Sequence, residues 1–266
     1  MSDPDAPFNF DVEDYIMYRI YDTQTDTWSE AGAAFNGIAN GSVNGLDSVV
    51  FNNGNAVIAF NVQTGSDEEE AQNGLETFYA FIENTQNGTK NTTVRLTDNK
   101  GMDSNVQLLK ITDSEEEYAV LGWYSENEEE SDINLRLFDA NGNIDDTYPS
   151  SIAKMSDERI SEKFRLSGVS KENLMIGWIN MKMEDGAAAA SGDLVAARLY
   201  LAGTDDYRVA PAQIVASSLK DITIDDFTLT FDGEKVTAIL SETDYSSGDK
   251  EIAATLTVDD VVNRAV

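Results

Sequence analysis

Four apolar runs of one shape recur along the chain, and this repeat constrains the fold more than any other feature. They are Ala56-Val57-Ile58-Ala59-Phe60, Ala119-Val120-Leu121-Gly122-Trp123, Leu174-Met175-Ile176-Gly177-Trp178 and Val236-Thr237-Ala238-Ile239-Leu240, with their last residues 63, 55 and 62 positions apart. A strand-like run precedes each, at residues 48–51, 106–111, 164–169 and 227–231. Another follows each, at 78–82, 133–138, 194–200 and 252–257, and a fourth follows in the first three units near 92–96, 146–152 and 207–215. Four antiparallel strands in a unit of roughly sixty residues predict the blades of a β-propeller, labelled a to d from the innermost strand outward. The near-continuous apolar b run then has a physical reason, because an inner strand is covered on both faces by neighbouring sheets. Small Ala59, Gly122 and Gly177 beside large Phe60, Trp123 and Trp178 suit the taper between radiating sheets. The large residues of this set therefore read as core, which leaves Trp28 as the freest aromatic. Two stacked β-sandwiches, the other all-β reading, predict no repeat of this period.

The turn chemistry agrees. Asn53-Gly54, Asn87-Gly88, Asn141-Gly142 and Asp232-Gly233 are hairpin signals, since glycine accepts the positive φ that tight turns require. One short stretch, 156–163, has a helical pattern, of two turns at most. The expected organisation is a lead-in over 1–13, carrying two of the four prolines, and propeller blades over 14–266. The chain enters with strands c and d (15–21 and 25–30), runs through three full blades and ends with a, b and c. In this phase Arg19, Phe81, Arg136, Arg198 and Thr255 align on the c strands, and the arginines read as braces within their own blades. The count is seventeen strands where four complete blades need sixteen. Bare inner edges are avoided by native proteins, so completion of the ring by another chain or a second copy is expected.

Charge narrows the partners. The chain has 49 acidic and 18 basic residues, a formal net charge of −31. Nucleic acids and anionic membranes need clustered Lys and Arg facing phosphate, so neither is an expected partner. Without histidine or cysteine, a Cys/His zinc site, a Ser-His-Asp triad, a cysteine nucleophile and disulfides are all excluded. No basic-then-apolar leader opens the sequence and no apolar stretch approaches ~20 residues, so membrane insertion is not expected. The acidity fits a secreted protein or a high-salt one, where self-repulsion is screened.

The stretch Tyr21-Asp22-Thr23-Gln24-Thr25-Asp26-Thr27-Trp28 resembles the kelch pattern, in which Tyr and Trp are separated by six residues, and Tyr200 and Tyr207 repeat that spacing. Its Thr27-Trp28 ending is similar to that of the sialidase-type Asp-box. As a whole the chain looks like a divergent bacterial β-propeller from a large secreted or surface protein. The resemblance implies an extracellular or cell-surface location and a binding or scaffolding role more often than catalysis.

The candidate binding residues are acidic. The runs carrying Asp67, Glu68, Glu69 and Glu70, then Glu128, Glu129, Glu130 and Asp132, then Glu184 and Asp185, then Glu242 and Asp244 each fall between strands b and c. On a propeller these loops share one face, so the runs predict a negative rim that attracts a cationic partner or divalent ions. The plainer reading is solvated hairpin tips that discourage edge pairing. Asp139, Asn141, Asn143 and Asp145 place oxygen ligands at alternate positions, as a Ca2+ loop does, but lack its downstream bidentate glutamate. They also fall where a c–d hairpin is required in any case, so a plain turn is the favoured reading and Ca2+ the minor one. No organic cofactor is expected. The low-complexity stretch 181–192 reads as a long b–c loop. The functional expectation is a non-enzymatic interaction or scaffold module that binds protein or glycan. The alternative is the propeller part of a glycosidase or lyase completed by residues elsewhere, since a glycosidase needs two carboxylates flanking the scissile bond.

Overall fold

The computed structural model describes residues 14–38, 41–64, 74–85, 88–99, 101–127, 130–152, 158–184, 187–204, 206–217, 222–244 and 249–258, without the side chains of 158, 182–184, 187–191, 222 and 249–258. Among the described residues there is no helix, and none therefore long and apolar enough to cross a membrane. The chain is all-β and built from antiparallel β-propeller blades. It divides into two compact units, 1–106 and 107–266.

In the first unit, β1 (Ile16–Tyr18) pairs with β4 (Gly32–Phe35), and the hairpin β2 (Tyr21–Asp22) and β3 (Thr27–Trp28) is inserted between them. The strand expected at 25–30 is therefore a correction. Asp22 accepts the backbone N–H of Gln24 and folds the chain back early, so the partner of β1 lies further on, at 32–35. Strands β5 (Ser42–Val50), β6 (Ala56–Gln63), β7 (Leu75–Thr85) and β8 (Gly88–Arg95) follow as one meander sheet in the order 5-6-7-8. Ile16, Ala34 and Phe35 bury themselves on the face formed by Phe60, Val62, Phe78 and Ile82. The Phe35 ring lies 5.1 Å from Phe60 and 5.8 Å from Phe78, tilted against both, the arrangement aromatic quadrupoles favour.

Strand β9 (Met102–Asp113) crosses the division and heads the sheet completed by β10 (Glu116–Glu126), β11 (Ser131–Asp139) and β12 (Ser151–Ile152). The next sheet contains β13 (Glu158–Ser170), β14 (Asn173–Glu184) and β15 (Ala187–Leu201), with β16 (Tyr207–Val209) and β17 (Gln213–Ser217) both on the outer edge of β15. The last has β18 (Ile222–Phe231), β19 (Val236–Asp244) and β20 (Asp249–Val258). Glycines 54, 88, 142 and 233 all adopt positive φ in their turns.

Two expectations are overturned in this unit. Residues 158–163 of the expected helix belong to β13, where Arg159 faces Met181 and Ile160 faces Asn180 across the ladder. Burial of Ile160 and pairing of its backbone outweigh a weak local propensity. In the expected loop at 181–192, residues 181–184 and 187–192 are strand, with β14 and β15 paired out to Glu184 opposite Ala187. Each added pair satisfies backbone hydrogen-bonding groups.

Small and large residues mesh between successive sheets of the second unit. A Cβ on Gly122 of β10 would lie 2.8 Å from Phe164 Cε2 of β13, and one on Gly177 of β14 would lie 3.1 Å from Leu229 and 3.3 Å from Phe227 of β18. Each glycine therefore accepts an apolar side chain from the first strand of the next sheet. Polar clasps repeat the relation. The Gln107 side-chain amide donates to the Phe164 carbonyl, and Arg165 makes an ion pair with Asp226 at 2.8 Å while its guanidinium lies 5.6 Å from the Phe227 ring centre. Ser167 Oγ accepts the Phe231 N–H at 2.8 Å.

Candidate functional site

Of the expected acidic rim, Asp67, Glu68, Glu69, Glu70, Glu128, Glu129 and Asp185 lie outside the described residues. Glu130 is exposed, and its N–H donates to Asn127 Oδ1 at 2.8 Å. Asp132, Glu184, Glu242 and Asp244 are strand residues of β11, β14 and β19, a correction to their assignment as loop tips. The ladders simply run further into the acidic runs than composition indicates. In the ladder Glu242 pairs with Glu251 and Asp244 with Asp249.

The Asp139 loop closes on itself. Asp139 Oδ1 accepts the backbone N–H groups of Asn141 (2.8 Å) and Asn143 (2.9 Å), and Oδ2 accepts Asn143 Nδ2–H (2.7 Å). Asp145 Oδ1 is engaged with the Thr147 N–H and hydroxyl. The Asp139 carboxylate is thus turned onto its own backbone, the geometry of an Asx turn.

The expected c-strand arginine alignment is broken by one position. Phe81 pairs with Val57 and Arg198 with Met175, three residues before the large b-strand residues Phe60 and Trp178. Arg136 instead pairs with Leu121, two before Trp123. A one-residue shift reverses the face of a strand. Arg136 lies 5.7 Å from the Trp123 ring centre, whereas Arg198 Nε donates to Asn173 Oδ1 at 2.8 Å.

A different series is in register. The residue two beyond the large b-strand side chain faces a carboxylate in every main sheet: Val62 faces Glu76, Ser125 faces Asp132, Asn180 faces Asp193, and Glu242 faces Glu251. Of these, sequence reading singled out only Asp132 and Glu242. The signal was present as an acid two residues before the cross-strand partner, but it needs hairpin lengths to be seen. Glu76 and Asp193 are buried. Glu76 is the best defined: its Oε1 accepts the Asn99 N–H at 3.2 Å and lies 3.1 Å from Arg95 Nη2. Asn99 also donates from Nδ2 to Asp103 Oδ2 at 2.9 Å. Nearby, fully buried Asn61 donates to Thr77 Oγ1 (3.0 Å) and accepts the Val106 N–H (3.3 Å).

The exposed hairpin β2–β3 forms a second feature. Tyr21 and Trp28 pair across it with ring centres 5.0 Å apart, 43% and 64% exposed. Asp22 and Asp26 flank them. The Tyr21 hydroxyl donates to Asp26, which pushes the phenol pKa up, and the Gln24 N–H donated to Asp22 holds that carboxyl below its usual range. The ring edges and carboxylates are thus held in one place on a four-residue turn. Trp123 and Trp178 are buried in the core, as expected from their repeat position.

No protein-family model and no curated protein matches the chain. Among solved structures, it is similar to a glycoside hydrolase (TM-score 0.37, 8% identity, covering 82% of this chain and 75% of that one). It is also similar to a thermostable family-43 glycoside hydrolase (TM-score 0.36, 8% identity, 83% and 91%). These likenesses are too distant to carry chemistry. They do not support the kelch or Asp-box assignment of Tyr21–Trp28, and that segment forms a projecting hairpin with both aromatic rings in solvent.

Proposed function

We propose that the chain is a glycan-recognition propeller module whose contact surface is the Tyr21–Trp28 hairpin. The observation that supports this reading is the exposed, ordered aromatic pair with carboxylates at its margin. Sugar rings present C–H groups of slight positive charge to an aromatic face, whose quadrupole is negative, while their hydroxyls donate to carboxylates. Large exposed aromatic side chains are otherwise uncommon on a surface dominated by charge, and they are the residues that dominate contact energetics.

The chain's three tryptophans make the test selective, because Trp123 and Trp178 are buried and only Trp28 is open to solvent. A glycan array followed by fluorescence titration with any hit is expected to shift or quench Trp28 emission. Trp28→Ala is expected to weaken binding tenfold or more, equivalent to about 1.4 kcal/mol or above, with folding unchanged. Binding that survives Trp28→Ala undiminished, or a hit that leaves Trp28 emission unaltered, would remove the hairpin from the contact.

A second reading, glycoside hydrolysis, is favoured by the register-matched carboxylates, since hydrolysis needs two such groups across the scissile bond. Turnover of any glycoside, abolished by Asp132→Asn or Asp193→Asn in a folded variant, would make this the better reading.

A further inference from the structure

The geometry points to a bound hard cation, calcium by preference, between the buried carboxylates of Glu76 and Asp103. The inference is independent of the glycan reading. Asp103 is 0% exposed and Glu76 is 1% exposed. Both hang on one asparagine, Asn99, through Glu76 Oε1 and Asp103 Oδ2. The remaining oxygen of each, Glu76 Oε2 and Asp103 Oδ1, is fully buried and has no hydrogen-bond partner.

Charge makes this arrangement incomplete as it stands. The Arg95 guanidinium lies beside Glu76, but it also reaches Asp98 at 2.8 Å and is itself partly exposed. Asp103 receives only a neutral amide. A buried carboxylate requires both a compensating charge and filled lone pairs. A cation seated on the two free oxygens supplies both at once. The donors are all oxygen, the chemistry of calcium and magnesium; calcium tolerates irregular and partly hydrated coordination where magnesium demands a near-ideal octahedron.

The position also fits an architectural role. Asp103 is the second residue of β9, Glu76 the second of β7, and Asn99 lies in the segment joining β8 to β9. A cation here would tie that crossing segment to the sheet it leaves. Only two carboxylates contribute, so the affinity expected is that of weak extracellular sites, with Kd about 10⁻⁴–10⁻³ M.

The test uses the full chain freed of metal with EDTA. Equilibrium dialysis and calorimetric titration with CaCl2 are expected to reveal a saturable site of that affinity. Thermal unfolding is expected to rise in Tm as CaCl2 passes through the Kd, with a smaller rise in MgCl2 at matched ionic strength. Asp103→Asn and Glu76→Gln preserve shape and the Asn99 acceptor, and each is expected to abolish the saturable site and the calcium-dependent Tm rise. Glu234→Gln, an exposed turn substitution, is expected to leave both intact. Absence of saturable calcium binding in the unmodified chain would overturn the proposal, even if the variants fail to fold. A calcium response retained in Asp103→Asn would also overturn it, by placing the ion elsewhere. So would an Asp103→Asn chain that is more stable than the parent and indifferent to calcium, the signature of a proton in place of a metal.

Discussion

Phe164→Ala is expected to destabilise the chain by about 3–5 kcal/mol, the cost of emptying a large aromatic site in a close-packed core. Unfolding in urea is expected to show it as a large fall in midpoint, and thermal unfolding as a drop of roughly 10 °C. The size follows from where the ring sits. Phe164 is fully buried, and its edge lies where Gly122 has no side chain. Neighbours cannot collapse into the space without breaking the β13–β14 ladder, in which Phe164 faces Trp178. A loss below 1 kcal/mol would mean that the two sheets do not meet there.

The second large effect is polar. Asn61→Leu keeps the volume of a fully buried side chain but removes an acceptor from the Val106 N–H and a donor from the Thr77 hydroxyl. Each orphaned buried group costs about 1–3 kcal/mol, so a loss of about 2–4 kcal/mol is expected in urea unfolding. Thr77→Val is expected to cost less, because Asn61 can still hold the Val106 amide. Equal losses, or a larger loss in Thr77→Val, would contradict the role given to Asn61. Val106 follows Asn105, whose φ is +52°, just as Leu46 follows Gly45 at +75°. Both inner strands therefore carry a left-handed residue at their fourth position. The β5 register slips at this point, between Asn44 and Leu46, as bulged strands do where a side chain is re-aimed.

How far the sequence discloses all this depends on the range of the interactions that decide each element. The b strands were legible because they are apolar on both faces, a local signal, and Phe60, Trp123 and Trp178 are core residues as their repeat predicts. Outer strands were poorly legible. β12 and β16 are two and three residues long, so pairing with a neighbour defines them more than their own composition does. The starts of the a strands were missed for a related reason: β13 and β18 shift register between Ile160 and Phe164 and between Ile224 and Asp226, and a bulge interrupts alternation. Register errors hid the site as well. Equal spacing along the sequence does not give equal register, and the β10–β11 ladder sets Arg136 opposite Leu121, off the shared face. The Glu76–Asn99–Asp103 cluster joins three separate segments, and only the fold brings them together. Trp28 is exposed as its position implies, but the strand expected over 25–30 is only the two-residue β3 of a short hairpin, held by Asp22 and Asp26.

The central structural claim is that successive sheets mesh through a small residue on one b strand and a large one on the next a strand. A double-mutant cycle on Gly122 and Phe164 tests it most directly. Gly122→Leu alone is expected to cost about 1–3 kcal/mol by overpacking against the Phe164 ring. Combined with Phe164→Ala, the new leucine occupies the vacated volume, and the double variant is expected to be more stable than the sum of the single losses by at least about 1 kcal/mol. Losses that add to within about 0.5 kcal/mol would show that the two positions do not touch, and would contradict the stacking of these sheets as propeller blades.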